Sequence, residues 1–252
     1  MTPPLMMMLM FSIMGVLLVV SIAAAIKASG IERHRKMALE LMAQRRGWSF
    51  QPATVRSLSD LYPHIEVFDR GHSRNAYNLM TAELMIAGER FRMLAGDYTY
   101  KVTSSNGKSS STRTYHLSFL FVHWPHQWVV PDLLIRPEGI LDKFKGAIGF
   151  DDIDFESEEF SRKFWVKSPS KRFAYDVIHP RMIEFLLASS PAQVELANGS
   201  AGMVGQAKRW EPDEFAACAD WLAQFFNLWP EFVLQNVRTA AGFADDRHGA
   251  AT

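Results

Sequence analysis

YNLMTAELMIAGERFRMLAGDYTYKV at Tyr77–Val102, SSNGKSSS at Ser104–Ser111 and TRTYHLSFLFVHW at Thr112–Trp124 decide the fold class. The first run carries β-branched, aromatic and long apolar residues broken at Gly88 and Gly96, as paired antiparallel strands would be. In the second, Asn106-Gly107 sits between two β-like runs, and such a pair supplies the positive φ angles that a tight hairpin turn needs. The third run is the returning strand. Hairpins built from neighbouring segments make an antiparallel sheet without βαβ crossovers, so the chain reads as α+β.

Working outward, WVVPDLLIRPEG at Trp128–Gly139 predicts a strand with Pro131 at an edge or bulge. Within FDDIDFESEEFSRKFWVKSP, Phe160, Arg162, Phe164 and Val166 alternate against Ser161, Lys163, Trp165 and Lys167, which predicts another strand. A helix capped by Ser170 follows, with Phe173, Val177, Met182, Phe185 and Leu186 along its apolar side and a kink or restart at Pro180. QVELANGSAGMVGQAKRW reads as a glycine-rich hairpin, and EPDEFAACADWLAQFFNLWPEFV as one long helix begun by Pro212. Upstream, GWSFQP starts a strand and VRSLSDLY makes a helical turn. About three helices then flank the sheet, and the tail at 239–252 reads as disordered.

The N-terminal fifth, residues 1–47, is different. From Leu5 to Ile26 no residue carries a charge, and a helix of about 20 such residues crosses a bilayer. A cleaved signal peptide is the competing reading, favoured by Ala23, Ala24 and Ala25, but the preceding Met-Thr-Pro-Pro lacks a basic region. Lys27, Arg33, Arg35, Lys36, Arg45 and Arg46 follow the run and no Lys or Arg precedes it. That asymmetry predicts a single pass through the inner (plasma) membrane with the domain cytoplasmic. Gly30 separates the anchor (1–30) from a basic amphipathic juxtamembrane helix (31–47), with Met37, Ala38, Leu41 and Met42 as its apolar side and Gly47 as its stop. A single α+β soluble domain occupies 48–238. The bilayer is the partner of residues 5–26, and Arg33, Arg35, Lys36, Arg45 and Arg46 are placed to meet anionic lipid.

Three stretches, IDFESEEFSRKFWVKSPSKRFAYDVIHPRMIEFLL at Ile153–Leu187, GDYTYKV at Gly96–Val102 and LLIRPEG at Leu133–Gly139, resemble a family of uncharacterised bacterial membrane-anchored proteins, a domain of unknown function. The resemblance implies an N-terminal membrane segment with one following domain and says nothing about chemistry.

The composition excludes little but points away from nucleic acid: Lys plus Arg and Asp plus Glu are 27 each, so the chain has no global positive field. The lone Cys218, in the apolar stretch AACADWLAQFF, reads as a small buried hydrophobe and rules out an intrachain disulfide. Asp151, Asp152, Asp154, Glu156, Glu158 and Glu159 form the densest acidic run. They are weak metal candidates, because a calcium loop needs a turn glycine and a distal bidentate glutamate that DDIDFESEEF lacks. His123 and His126 offer two imidazoles where a zinc site needs three or four ligands, so the alternative is a strand end bonded to backbone or water. Gly107-Lys108-Ser109 imitates a phosphate loop, but Val102 stands where the earlier glycine should be, and Gly199, Gly202 and Gly205 lack the dinucleotide fingerprint. Trp165, Trp210, Trp221 and Trp229 read mostly as core. The sequence therefore predicts no cofactor and no assigned catalytic residue. It favours a membrane-tethered, non-enzymatic interaction or sensory module of unknown protein partner. The rival is an enzyme of unrecognised type using the acidic cluster or the histidines, which a cleft joining carboxylates to a histidine with perturbed pKa values would favour.

Overall fold

The structure, a computed structural model, describes residues 3–56, 58–107, 109–138, 153–205 and 208–239, without the side chains of 3–13, 15, 17, 24, 25 and 66. Helix α1 (Pro3–Arg45) is followed by strand β1 (Ser49–Gln51), helix α2 (Leu58–Leu61) and a 3₁₀ turn (Glu66–Asp69). Next come β2 (His72–Ile86), β3 (Glu89–Ser105), β4 (Ser110–His123) and β5 (Leu133–Pro137). Helix α3 (Glu158–Lys163) leads into β6 (Phe164–Lys167), then α4 (Lys171–Val177) and α5 (Pro180–Ser189). The hairpin β7 (Val194–Ala197) and β8 (Ser200–Val204) precedes α6 (Pro212–Asn227) and α7 (Glu231–Thr239). All pairings are antiparallel, in one eight-stranded sheet of order β1-β2-β3-β4-β8-β7-β5-β6.

The α+β reading holds, and so does the hairpin at Asn106-Gly107, where Ser105 pairs with Ser110 and Gly107 takes a φ of 80°. The β7–β8 turn is made by Asn198 and Gly199, both at positive φ. Gly88 ends β2, but Gly96 lies inside β3 instead of breaking it. Pro131 falls outside β5. Besides α1, six α-helices are described where about three were expected, because Pro180 and Pro230 each begin a new helix and the predicted strand over Phe160–Lys167 is half helical. There Ser157 accepts the amide N–H of Phe160 and starts α3, Glu158 and Glu159 occupy its first turn, and only Phe164–Lys167 is extended. Phe160, Phe164 and Val166 are nevertheless buried as the alternation required.

One face of the sheet carries α1 and α3–α7. Phe91, Leu120, Phe173, Phe215, Phe225 and Phe226 lie at the centre of that core. The other face is covered over β2–β4 by the segment from Val55 to Phe68, through Tyr62, Phe68, Tyr98, Phe119 and Phe121. Gly202 is fixed by this packing: a Cβ there would lie 2.0 Å from Phe121 Cδ1.

Helix α1 is continuous for 43 residues, so Gly30 lies within it and does not interrupt it. Gly47, at φ 67°, ends it: Gly47 N donates to Gln44 O and Trp48 N to Ala43 O. Of the expected apolar side Met42 alone is buried, while Ala38 is exposed. Leu39, Met42 and Ala43 are in the core, whereas Met37 and Leu41 are each 48% exposed. Among the described residues no helix is long and apolar enough to cross a membrane. The span expected over Leu5–Ile26 rests in good part on side chains outside the described set, and the tail at 240–252 lies outside the described residues altogether.

Candidate functional site

Arg35 explains why α1 turns Leu39 and Met42 inward. It lies on the same helical stripe, four residues before Leu39 and seven before Met42, and it reaches a fully buried carboxylate. Arg35 Nε donates to Asp97 Oδ2 at 2.8 Å and Nη2 to Asp97 Oδ1 at 2.7 Å, a two-pronged pair. Nη2 also donates to Trp210 O at 2.8 Å. Ser118 Oγ and Asn78 Nδ2 complete the carboxylate at 2.7 and 3.0 Å, and Trp210 N donates to Ser118 Oγ at 3.0 Å. Three elements thus meet on one carboxylate with its lone pairs satisfied, the condition under which a buried charge is tolerated.

The local backbone makes this possible. Between Tyr77 and Met80 the β2–β3 register slips by one residue opposite Gly96, and Asn78 adopts a left-handed φ of 50°. The bulge swings the Asn78 side chain to the Asp97 face, which ordinary alternation would deny it. Gly96 is required beneath, since a Cβ would lie 2.9 Å from Leu79 Cδ2 and 3.0 Å from Tyr77 O.

Beside this clamp runs an open groove of about 770 Å³. Its floor is a cross-strand row, Asn75 paired with Thr99 and Thr99 with His116, and its wall is the α1 side carrying Glu32, Arg33 and Lys36. Glu32 accepts both of its bonds from Arg209 Nη1, at 2.7 and 2.8 Å. Arg33 and Lys36 are exposed and have no acidic partner among the described residues. Burial, then the Arg209 charge, lowers the His116 pKa, so the ring is neutral near pH 7. Tyr77 Oη lies 3.5 Å from His116 Nδ1, and its pKa is raised by burial first and by Asp97 second.

The expected lipid-facing cations divide. Arg33, Lys36 and Arg45 are exposed. Arg35 is committed to Asp97, and Arg46 pairs with Asp220 while its guanidinium lies 5.5 Å from the Trp48 ring centre. Arg35 is a correction, because its guanidinium is held by a fully buried carboxylate; Arg46 is exposed, and its pair with Asp220 lies at the surface.

On the opposite face lies a second groove of about 630 Å³, lined by Tyr62, Glu83, Arg92 and His123. Tyr62 Oη and His123 Nε2 are 2.8 Å apart, and Tyr62 stacks on Phe121 at 4.1 Å. Burial, then Arg92, lowers the His123 pKa; burial raises that of Tyr62. His126 does not join His123 there but is exposed. Among the described residues no three metal-binding side chains converge. Asp154 and Glu156 are exposed, Glu159 pairs with Lys163 at 2.8 Å, and Asp151 and Asp152 lie outside the described residues. Part of the acidic run thus has a helical reason: Glu158 and Glu159 face the positive end of α3.

A third site had no sequence cue. A cavity of about 150 Å³ is lined by His64, Asp132, Lys167, Ser168, Glu195 and Asn198, among others. Glu195 Oε2 is buried without a hydrogen-bond partner, and burial reinforced by Asp132 pushes its pKa up to about 8. Burial also raises the Asp132 pKa and lowers that of His64 to about 4; His64 Nδ1 is 2.8 Å from Asn198 Nδ2. Glu195 occupies the outward position between Val194 and Leu196, so its alternation reads as solvent-facing; the cavity around it is closed by His64, by Asp132 and β5, and by Lys167–Pro169.

No family model matches the chain, and no curated relative matches it in sequence. One solved structure is similar in fold. It is the crystal structure of the mycobacterial trehalose monomycolate transport factor A, TtfA, with a TM-score of 0.53 at 10% identity. The likeness covers 79% of this chain and 97% of that one. At this identity it speaks for fold alone.

Proposed function

We propose that the chain is a non-enzymatic interaction or sensory module, tethered by one pass of α1 through the inner (plasma) membrane with its domain on the cytoplasmic side. The observation that carries the reading is the contrast along α1. Its described apolar side chains before Gly30, namely Met14, Val16, Leu18, Val19, Val20, Ile22 and Ile26, are each 51–66% exposed. A row of this kind is stable only against lipid or another apolar surface. Nine residues after Ile26 the same continuous helix is locked to the sheet by Arg35. A tether so joined holds the domain at a set height and angle, which suits presentation of a surface to a partner. Membrane fractionation of the full chain tests the tether: it should stay in the membrane pellet after an alkaline carbonate wash and enter the supernatant only with detergent. Release by carbonate alone would refute it.

A second reading, an enzyme, is favoured by one observation. The small cavity joins Glu195 and Asp132, both with raised pKa values, to His64. A carboxylic acid still protonated near neutral pH is a possible proton donor. The acidic run and the His123–His126 pair do not build that site.

A further inference from the structure

We propose that the groove between α1 and the Asn75–Thr99–His116 row binds the phosphate of an anionic lipid headgroup, one lipid seated beside the helix at the cytoplasmic leaflet. The inference rests on the tether reading and names the partner of the groove. Three features converge. First, Arg33 and Lys36 have no acidic partner among the described residues, whereas the groove's carboxylate, Glu32, is neutralised by Arg209. The groove therefore presents an excess of positive charge, and an arginine fork suits phosphate oxygens.

Second, the floor is polar and already shaped. Asn75 donates only one bond, to Ser73 O at 3.0 Å, and His116 is exposed beside it on the same row. Arg35 and Asp97 hold α1 over the adjacent row, so the wall does not drift from the floor.

Third, the height is right. At about 1.5 Å of rise per residue, Arg33 and Lys36 lie roughly 10 and 15 Å beyond Ile26 along α1. Headgroups extend about 5–8 Å beyond the hydrocarbon. Helical side chains lean toward the N-terminus, here toward the bilayer, which closes the remaining gap.

The test uses the full chain in nonionic detergent micelles doped with phosphatidylglycerol or phosphatidylcholine, with bound lipid counted by native mass spectrometry. Phosphatidylglycerol should be retained in preference. The double variant Arg33→Ala/Lys36→Ala should weaken that retention about 10- to 30-fold, as loss of two lipid-contacting cations implies. His116→Ala and Asn75→Ala change no charge near neutral pH, so a merely electrostatic film would ignore them; a built site loses retention in both. Arg45→Ala should be neutral. Equal retention of the two lipids, an equal loss in Arg45→Ala, or indifference to both His116→Ala and Asn75→Ala would overturn the proposal. Displacement of the lipid by millimolar inorganic phosphate, with the same variants affected, would instead assign the groove to a soluble phosphate and overturn the headgroup. Failure of the tether is read separately: a chain that carbonate releases has no anchor, whereas a retained chain without lipid preference loses only the groove.

Discussion

The two ends of α1 use the same helix in opposite ways. Before Gly30 its described apolar side chains are more than half exposed; after Glu32 its buried stripe begins with a charge. The exposed apolar side chains from Met14 to Ile26 would be costly in water, whereas Arg35 at its buried position would be costly without Asp97. The difference teaches that hydrophobicity alone does not say which side of a helix is inside. A single arginine with its carboxylate prepared, by the Asn78 bulge and the side-chain-free Gly96, sets the face, and Leu39, Met42 and Ala43 follow it.

The strongest way to break this comparison is to remove the charge that organises the buried half. Arg35→Ala leaves Asp97 fully buried without its cation, and the domain should lose roughly 3–5 kcal/mol of stability by urea denaturation. A loss below about 1 kcal/mol would mean that the pair does not orient α1. Removing one ring from the core provides the scale. Phe164 is buried and stacks on Phe160 at 5.2 Å, so Phe164→Ala should cost about 3–5 kcal/mol. Lys163→Ala breaks only an exposed pair with Glu159 and should cost about 0–1 kcal/mol.

That pair of positions also shows how far the sequence was legible. Burial of Phe160, Phe164 and Val166 follows from alternation, yet over so short a run alternation does not separate a strand from one helical turn leading into a strand. Ser157 as a cap, Glu158 and Glu159 early and Arg162 and Lys163 late are local helix signals that outweigh it. The hairpins at Asn106-Gly107 and Asn198-Gly199 were readable because a turn is written in adjacent residues. Arg35 was not, because its partner is 62 residues away and a basic residue after an apolar run already had a topological explanation. The same holds for Glu195, whose cavity is lined by the distant His64, Asp132 and Lys167–Pro169.

Glu195 is the opposite case to Asp97, a carboxyl whose buried Oε2 has no hydrogen-bond partner among the described residues. Its folded pKa is raised from 4.5 to about 8, so across that window the folded state holds a proton the unfolded state has lost. Stability must then fall as pH rises through the window, by an amount on the order of 2–4 kcal/mol. Glu195→Gln should flatten the profile and be the more stable protein at about pH 9. An unchanged slope in the variant would show that the carboxyl is solvated. The smallest effect belongs to the exposed half of α1, where Val19→Ala should change the stability of the domain by less than about 0.5 kcal/mol.

The tether and its direction are tested most directly by labelling. A cysteine placed at Ser104 or Ser111, on the β3–β4 hairpin, reports the side of the membrane on which the domain sits. The native Cys218 adds little background, because burial pushes its thiol up to about 12 and the reactive thiolate is scarce at neutral pH. An impermeant maleimide applied to intact spheroplasts should leave the hairpin cysteine unlabelled, and the same reagent should label it fully after permeabilisation. Efficient labelling in intact spheroplasts would contradict the account and place the domain outside.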